Sequence, residues 1–178
     1  MPTVFSHSIA VLAVGQAVAP PGMPAKFWVA SAVCAALPDV DVVTFAFGVH
    51  YSDMFGHRGI THSFPFALVL GLVVVLIVFR EVPYFSGNWL LLVTYFFVVT
   101  SSHAILDAFT NGGLGVALFA PFTHDRYFFP WRPIEVSPIG LNAFLSSRGL
   151  AVLLSEIKWI WLPSGLVVTV AWLIRCKF

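Results

Sequence analysis

The sequence predicts an all-α fold: a polytopic membrane helix bundle with about five membrane helices and a metal site at one membrane face. Three observations carry this. Hydrophobic residues make up 59% of the chain and charged residues only 10%, with a mean hydropathy of +0.92; a soluble domain is roughly 45–50% apolar. The apolar residues gather into runs separated by proline, glycine and charge. Finally, His7, Asp39, Asp41, His57, His62, His103 and Asp107 stand in or against those runs, where each costs about 2.5–3.5 kcal/mol unless it is paired. Metal coordination is the commonest way to offset so many together. A length of 178 residues without internal repeats suits a single domain over 1–178. A net charge of +1 gives no reason to propose nucleic-acid binding.

The runs follow in order. Val4 to Ala19 and Phe27 to Leu37 are short, and Pro20-Pro21-Gly22 forces a turn between them. The first lacks a preceding basic region, so a cleaved secretory signal is not expected. Phe64 to Phe79, closed by Arg80-Glu81, and Trp89 to Phe109 approach the ~17–25 residues that cross a hydrocarbon core. The last runs from Ile157 to Ile174, with Lys158 placed to snorkel and Arg175 and Lys177 beyond it. Cys34 and Cys176 do not form a disulfide framework.

If every run crosses, parity puts all seven polar residues at one membrane face. The opposite face receives Lys26, Arg80, Arg175 and Lys177, which the positive-inside rule reads as cytoplasmic. The cluster would then be extracytoplasmic. Arg58, Arg126, Arg132 and Arg148 lie on its side, in longer segments where the rule is weaker.

Each constellation has a structural alternative. His103 and Asp107 in His-Ala-Ile-Leu-Asp stand one helical turn apart, so one metal could take both, or they could form a buried His–Asp couple. Asp39 and Asp41 follow Pro38. In extended chain both would face one way and could share a metal ligand's and a general base's work; as a helix-terminating turn they would cap the next element. His57-Arg58-Gly59-Ile60-Thr61-His62-Ser63 offers two imidazoles and a guanidinium suited to a phosphate or carboxylate, while Thr61 or Ser63 could cap the following helix. His7 gains its case from the parity argument, and His50 and His124 read as solvated loop residues. From Asn111 to about Ser147 the chain is too long for a mere connector. Arg126 and Arg132, among aromatics there, could hold an anionic headgroup over the site or belong to an interfacial anchor.

These residues resemble the YdjM-like, LexA-regulated inner-membrane proteins, a family described as metal-dependent hydrolases. The motifs are His7, Leu-Pro-Asp-Val-Asp at 37–41, Gly-His-Arg-Gly-Ile-Thr-His-Ser at 56–63, Ser-His-Ala-Ile-Leu-Asp at 102–107, Arg-Tyr-Phe-Phe-Pro-Trp-Arg-Pro-Ile at 126–134 and Val-Ser-Pro at 136–138. The order His, Asp, His, His-x-x-x-Asp is also loosely similar to zinc-dependent phospholipase C and P1-type nucleases. That similarity implies zinc ligation by His7, His62, His103 and Asp107, with Asp39 or Asp41 as the carboxylate beside the attacking water. The later histidine and glutamate cluster of those enzymes is missing, so one or two metals are expected.

The resulting expectation is an inner-membrane hydrolase of a phosphoester in a phospholipid or lipid-linked headgroup. His7, Asp39, His62, His103 and Asp107 would hold one or two zinc ions. Asp41 would act as base, His57 as acid and Arg58 as phosphate clamp, with Arg126 and Arg132 binding substrate. The rivals are a metal transporter or sensor and a stress-regulated scaffold with a structural metal. Transport calls for polar residues continuing across the membrane, and Phe64 to Phe79 has none.

Overall fold

A computed structural model describes residues 1–176. Among them the architecture is all-helical, with two isolated bridge pairs and no strand. The elements are α1 (Val4–Val18), α2 (Ala25–Ala36) continued by a 3-10 helix (Leu37–Phe47), a short 3-10 turn (Ile60–His62), α3 (Phe64–Val78), α4 (Gly87–Ala108), a single turn α5 (Leu141–Phe144), α6 (Ser147–Glu156), a π-helical turn (Ile157–Trp161) and α7 (Leu162–Arg175).

Among the described residues three continuous helices are long and apolar enough to cross a membrane: Ala25–Phe47, Gly87–Ala108 and Ser147–Arg175. Val4–Val18 and Phe64–Val78 are shorter apolar helices. Two features differ from the sequence expectation. The second run does not stop at Leu37, because Pro38 sits at the start of a helical segment, where its missing N–H does no harm, and the backbone tightens to 3-10 instead of ending. The last helix begins at Ser147, not Ile157. Ser146 Oγ accepts from Arg148 N at 3.2 Å, and the amphipathic α6 leads directly into the apolar α7.

Serines start the central helices. Ser63 Oγ accepts from Phe66 N and Ser86 Oγ from Trp89 N, both at 3.2 Å, satisfying first-turn donors. α3 and α4 pack backbone to backbone at Gly71, where an added Cβ would lie 3.0 Å from Phe97 N and 3.2 Å from Val93 O. Phe27, Cys34, Val75, Phe96 and Val99 are buried between α2, α3 and α4. Tyr95 stacks on Phe27 with ring centroids 4.6 Å apart and shares a 3.0 Å hydrogen bond with Ser31.

The two ends of the bundle differ in character. At one, Lys26 Nζ donates to Val78 O at 3.0 Å and pairs with Glu81, while Arg175 reaches the carbonyls of Ala17 and Ala19 at the end of α1. The Lys26 ammonium holds the Glu81 carboxyl below its ordinary pKa. Lys177 lies outside the described residues. At the other end stand the starts of α1 and α3, the end of α4 and the 3-10 segments.

Candidate metal centre

All seven polar residues come together at that second end. Their side chains are 0–5% exposed.

His103 and Asp107 project from one face of the last turns of α4, as their spacing requires. His103 Nδ1 lies 2.6 Å from Ala35 O, so it donates there and turns Nε2 inward. That carbonyl is available because Pro38, three residues on, has no N–H to give it in a 3-10 pattern. His103 Nε2 is then 3.2 Å from Asp39 Oδ1 and 3.1 Å from His62 Nε2. His62 Nε2 is also 3.5 Å from Asp39 Oδ1 and 3.4 Å from Asp107 Oδ2. One donor atom from each of Asp39, His62, His103 and Asp107 thus lies within 4.8 Å of the other three.

Asp41 serves the ring behind this set. At ~120° per residue in a 3-10 helix, residues two apart diverge by ~240°. The two aspartates consequently do not share a face as extended chain would have them. Asp39 turns to His62 and His103, whereas Asp41 turns to the His57–His62 segment. Asp41 Oδ1 is 2.7 Å from His57 Nδ1; its Oδ2 accepts from Thr61 Oγ1 at 2.7 Å and Arg58 N at 3.2 Å and lies 3.1 Å from His62 Nδ1. A carboxylate on Nδ1 with Nε2 aimed at the cluster is the usual outer partner of a metal-binding imidazole. His62 lies just before α3. Burial opposes its charge, but Asp107, Asp39 and Asp41 outweigh that and push its pKa up to about 10.

His7, in the first turn of α1, stacks on His103 with centroids 3.7 Å apart and puts Nε2 3.7 Å from Asp107 Oδ1. The Met1 amino group is 3.9 Å from the same oxygen.

Two of the three arginines are engaged by the chain itself. Arg58 is fully buried in a left-handed conformation, φ 62°. Its Nε lies 2.9 Å from Asp107 Oδ2, off the hydrogen-bond direction, while Nη1 donates to Gly112 O and Nη2 to Thr110 Oγ1, each at 2.9 Å. Gly113 has φ 87°, and a Cβ there would come within 2.9 Å of Arg58 Nη1, so that turn requires glycine. Arg126 donates to the carbonyls of His57, Tyr51 and Asp53 at 3.1 Å, pinning the long excursion to the His57 loop. Arg132 is exposed, 4.7 Å from the Phe128 ring. His50 and His124 are exposed and lie outside the cluster.

Sequence reasoning missed Thr61, Thr110 and the Ala35 carbonyl. Thr61 read as one of two cap candidates for the following helix, and only tertiary structure reveals what Thr110 and a carbonyl face. Ser63, one of the two cap candidates, does cap α3.

The donor set fits a cation. Asp39, Asp41 and Asp107 bring three carboxylates together beside one arginine. Both nitrogens of His7, Asp39 Oδ2 and both oxygens of Asp107 are buried without a hydrogen-bond partner among the described residues. Groups of this kind are not left dry and unpaired without a large penalty. Imidazole and carboxylate without thiolate suit zinc and its neighbours in the first transition series, and Cys34 is not among the converging ligands.

The model of the YdjM inner membrane protein family matches residues 1–177. Inner membrane protein YbcI of Escherichia coli (strain K12) is 38% identical over 172 residues, covering 97% of this chain and 98% of that protein. No solved structure matches the chain.

Proposed function

The chain belongs to the YdjM inner membrane protein family, and from that premise we propose that it is a metal-dependent hydrolase acting on a phosphoester in a phospholipid or lipid-linked headgroup. The observation that carries the reading is the convergence of Asp39, His62, His103 and Asp107 beside an Asp41–His57 pair that the four-residue set does not use. Structural zinc sites are normally built from cysteine or cysteine and histidine, whereas His/carboxylate sets are typical of catalytic sites.

Asp39, His62, His103 and Asp107 would hold the ion, with His7 beside Asp107. A divalent ion there supplies Lewis acidity towards a phosphoryl oxygen and towards water. The remaining work falls to the chain's own groups. Asp41 fixes His57 through Nδ1, leaving Nε2 to carry a proton to or from the reacting oxygens. This shifts the division of labour expected from sequence: with both oxygens engaged, Asp41 orients and His57 transfers. Arg58 balances the charge of Asp107. Arg132 is the exposed guanidinium available to a headgroup phosphate, and the aromatic residues around it suit the membrane interface. The site faces the extracytoplasmic side.

The test is metal analysis of the purified protein combined with hydrolysis assays on phospholipid in detergent. Wild type should carry near-stoichiometric metal and release headgroup or phosphate; His103→Ala and Asp107→Ala should lose both. Absence of metal from wild type sinks the reading. The near-complete burial of all seven side chains favours one alternative, a structural metal in a scaffold. Metal retained with no hydrolysis of any lipid class would select it.

A further inference from the structure

Among the described residues Glu156 is the other buried carboxylate, 0% exposed, and it lies far in sequence from the metal centre. It closes α6. Its Oε1 accepts from Thr3 N, and its Oε2 accepts from Thr3 Oγ1 at 2.7 Å and Ser6 Oγ at 2.6 Å. Trp161 Nε1 donates to the same Ser6 Oγ at 2.7 Å.

The π-helical turn makes this pairing possible. At ~100° per residue in an α-helix, residues five apart stand ~140° from one another. In Ile157–Trp161 the hydrogen bonds run in the wider i to i+5 pattern, which brings positions 156 and 161 over one another. Both polar groups then meet the first turn of α1. That turn has no side-chain cap of its own: Thr3, at its N-cap, makes no capping bond and instead gives its hydroxyl and N–H to Glu156. Ser6, held at both sides, is followed directly by His7.

We propose that Glu156, assisted by Trp161, is a positioning residue for the metal centre: it latches residues Thr3 to Ser6 and so holds the His7 ring against His103 and Asp107. This rests on the metal-site reading above only for its consequence at the ion; the latch itself is a claim about the N-terminal segment. The arrangement explains why a fully buried carboxylate is kept at the end of α6, where it is costly unless its oxygens are hydrogen-bonded.

Two measurements on full-length protein in detergent test it, using Co2+ alone as the metal probe. In hydrogen exchange, Glu156→Ala should speed exchange in peptide 1–8 about 10-fold or more while α3 is unchanged, as local opening without global unfolding predicts. In Co2+ titration, Glu156→Ala should weaken binding about 10-fold or more and move the visible absorption band towards that of His7→Ala, the scale expected for an outer-shell group. Glu156→Gln keeps an acceptor for Thr3 and should recover most of both signals. Unchanged exchange in peptide 1–8 overturns the latch, and a wild-type Co2+ spectrum and affinity in Glu156→Ala overturns its role at the ion. A Gln variant no better than Ala overturns the hydrogen-bonding explanation. If Glu156→Ala fails to fold, Trp161→Phe, which removes only the indole bond to Ser6, must still raise exchange in peptide 1–8; no rise there overturns the proposal. Wild type that takes up no Co2+ refutes the metal site, and the exchange measurement then decides the latch on its own.

Discussion

Arg58 shows how far a residue's chemistry can be read from sequence and where the reading stops. Its type and its place between two histidines pointed to the site, and it is there, buried with its Nε 2.9 Å from Asp107 Oδ2. Its partners were not legible, because Thr110 and Gly112 approach from a turn more than fifty residues away and only the fold brings them near. A fork of three nitrogens spread over a carboxylate, a hydroxyl and a carbonyl cannot be replaced by the single point of a lysine. Arg58→Lys should therefore keep the charge beside Asp107 yet lose its orientation, weakening Zn2+ binding roughly 10–100-fold in a chelator-competition titration. A clamp on the substrate predicts the opposite split, with metal affinity retained and KM raised. Asp39 and Asp41 teach a related lesson. Their types and neighbourhood were evident, but the angle between them depends on whether the chain after Pro38 is extended or 3-10, and the local sequence is compatible with both.

Among the elements, α3 and α4 were the most legible, since the lengths of their predominantly apolar runs place both ends within about two residues. The 3-10 continuation of α2 and the π turn after α6 were not. Runs of 3-10 beyond ~3–4 residues are uncommon, and neither helix type leaves a distinctive apolar period. The start of the last helix was missed for a different reason: Ser147–Glu156 is amphipathic, and Ser155-Glu156 interrupts its Leu150 to Leu154 stretch, so the apolar run reads as starting only at Ile157. The contact that joins α3 to α4 rests on one small residue. With Gly71 facing backbone atoms of α4 at 3.0 and 3.2 Å, Gly71→Leu has to push the helices apart. Overpacking of this kind costs roughly 1–3 kcal/mol. The expected result is a lowered midpoint of thermal unfolding in detergent, together with weakened metal binding, because α3 and α4 carry the His62 and His103–Asp107 edges of the centre. Unchanged stability would mean that the helices separate at no cost and that the close approach is incidental.

At the scale of the whole molecule, the chain separates its polar groups by end. One end holds the buried carboxylates, imidazoles and Arg58. The other holds Lys26, Glu81 and Arg175, with Cys176 exposed beside them. The parity of the runs anticipated this separation because a helix that crosses must deliver its two ends to different faces, whatever the internal packing. Which end faces the cytoplasm depends on charge. The short connections at the Lys26 end carry the basic residues that the positive-inside rule counts, while Arg126 and Arg148 are engaged by carbonyls and by Glu135 within the long excursion. The expected orientation puts Cys176 inside and the excursion outside, and the chain contains its own reporter for it. Cys34 is buried in α2, so a membrane-impermeant maleimide meets Cys176 alone in the unaltered protein. In intact spheroplasts Cys176 should stay unlabelled until lysis. In a Cys176→Ser background, Phe122→Cys, at a site 80% exposed in the excursion, should be labelled without lysis. The reverse pattern would place the metal centre in the cytoplasm, where its substrate would have to be drawn from the inner leaflet.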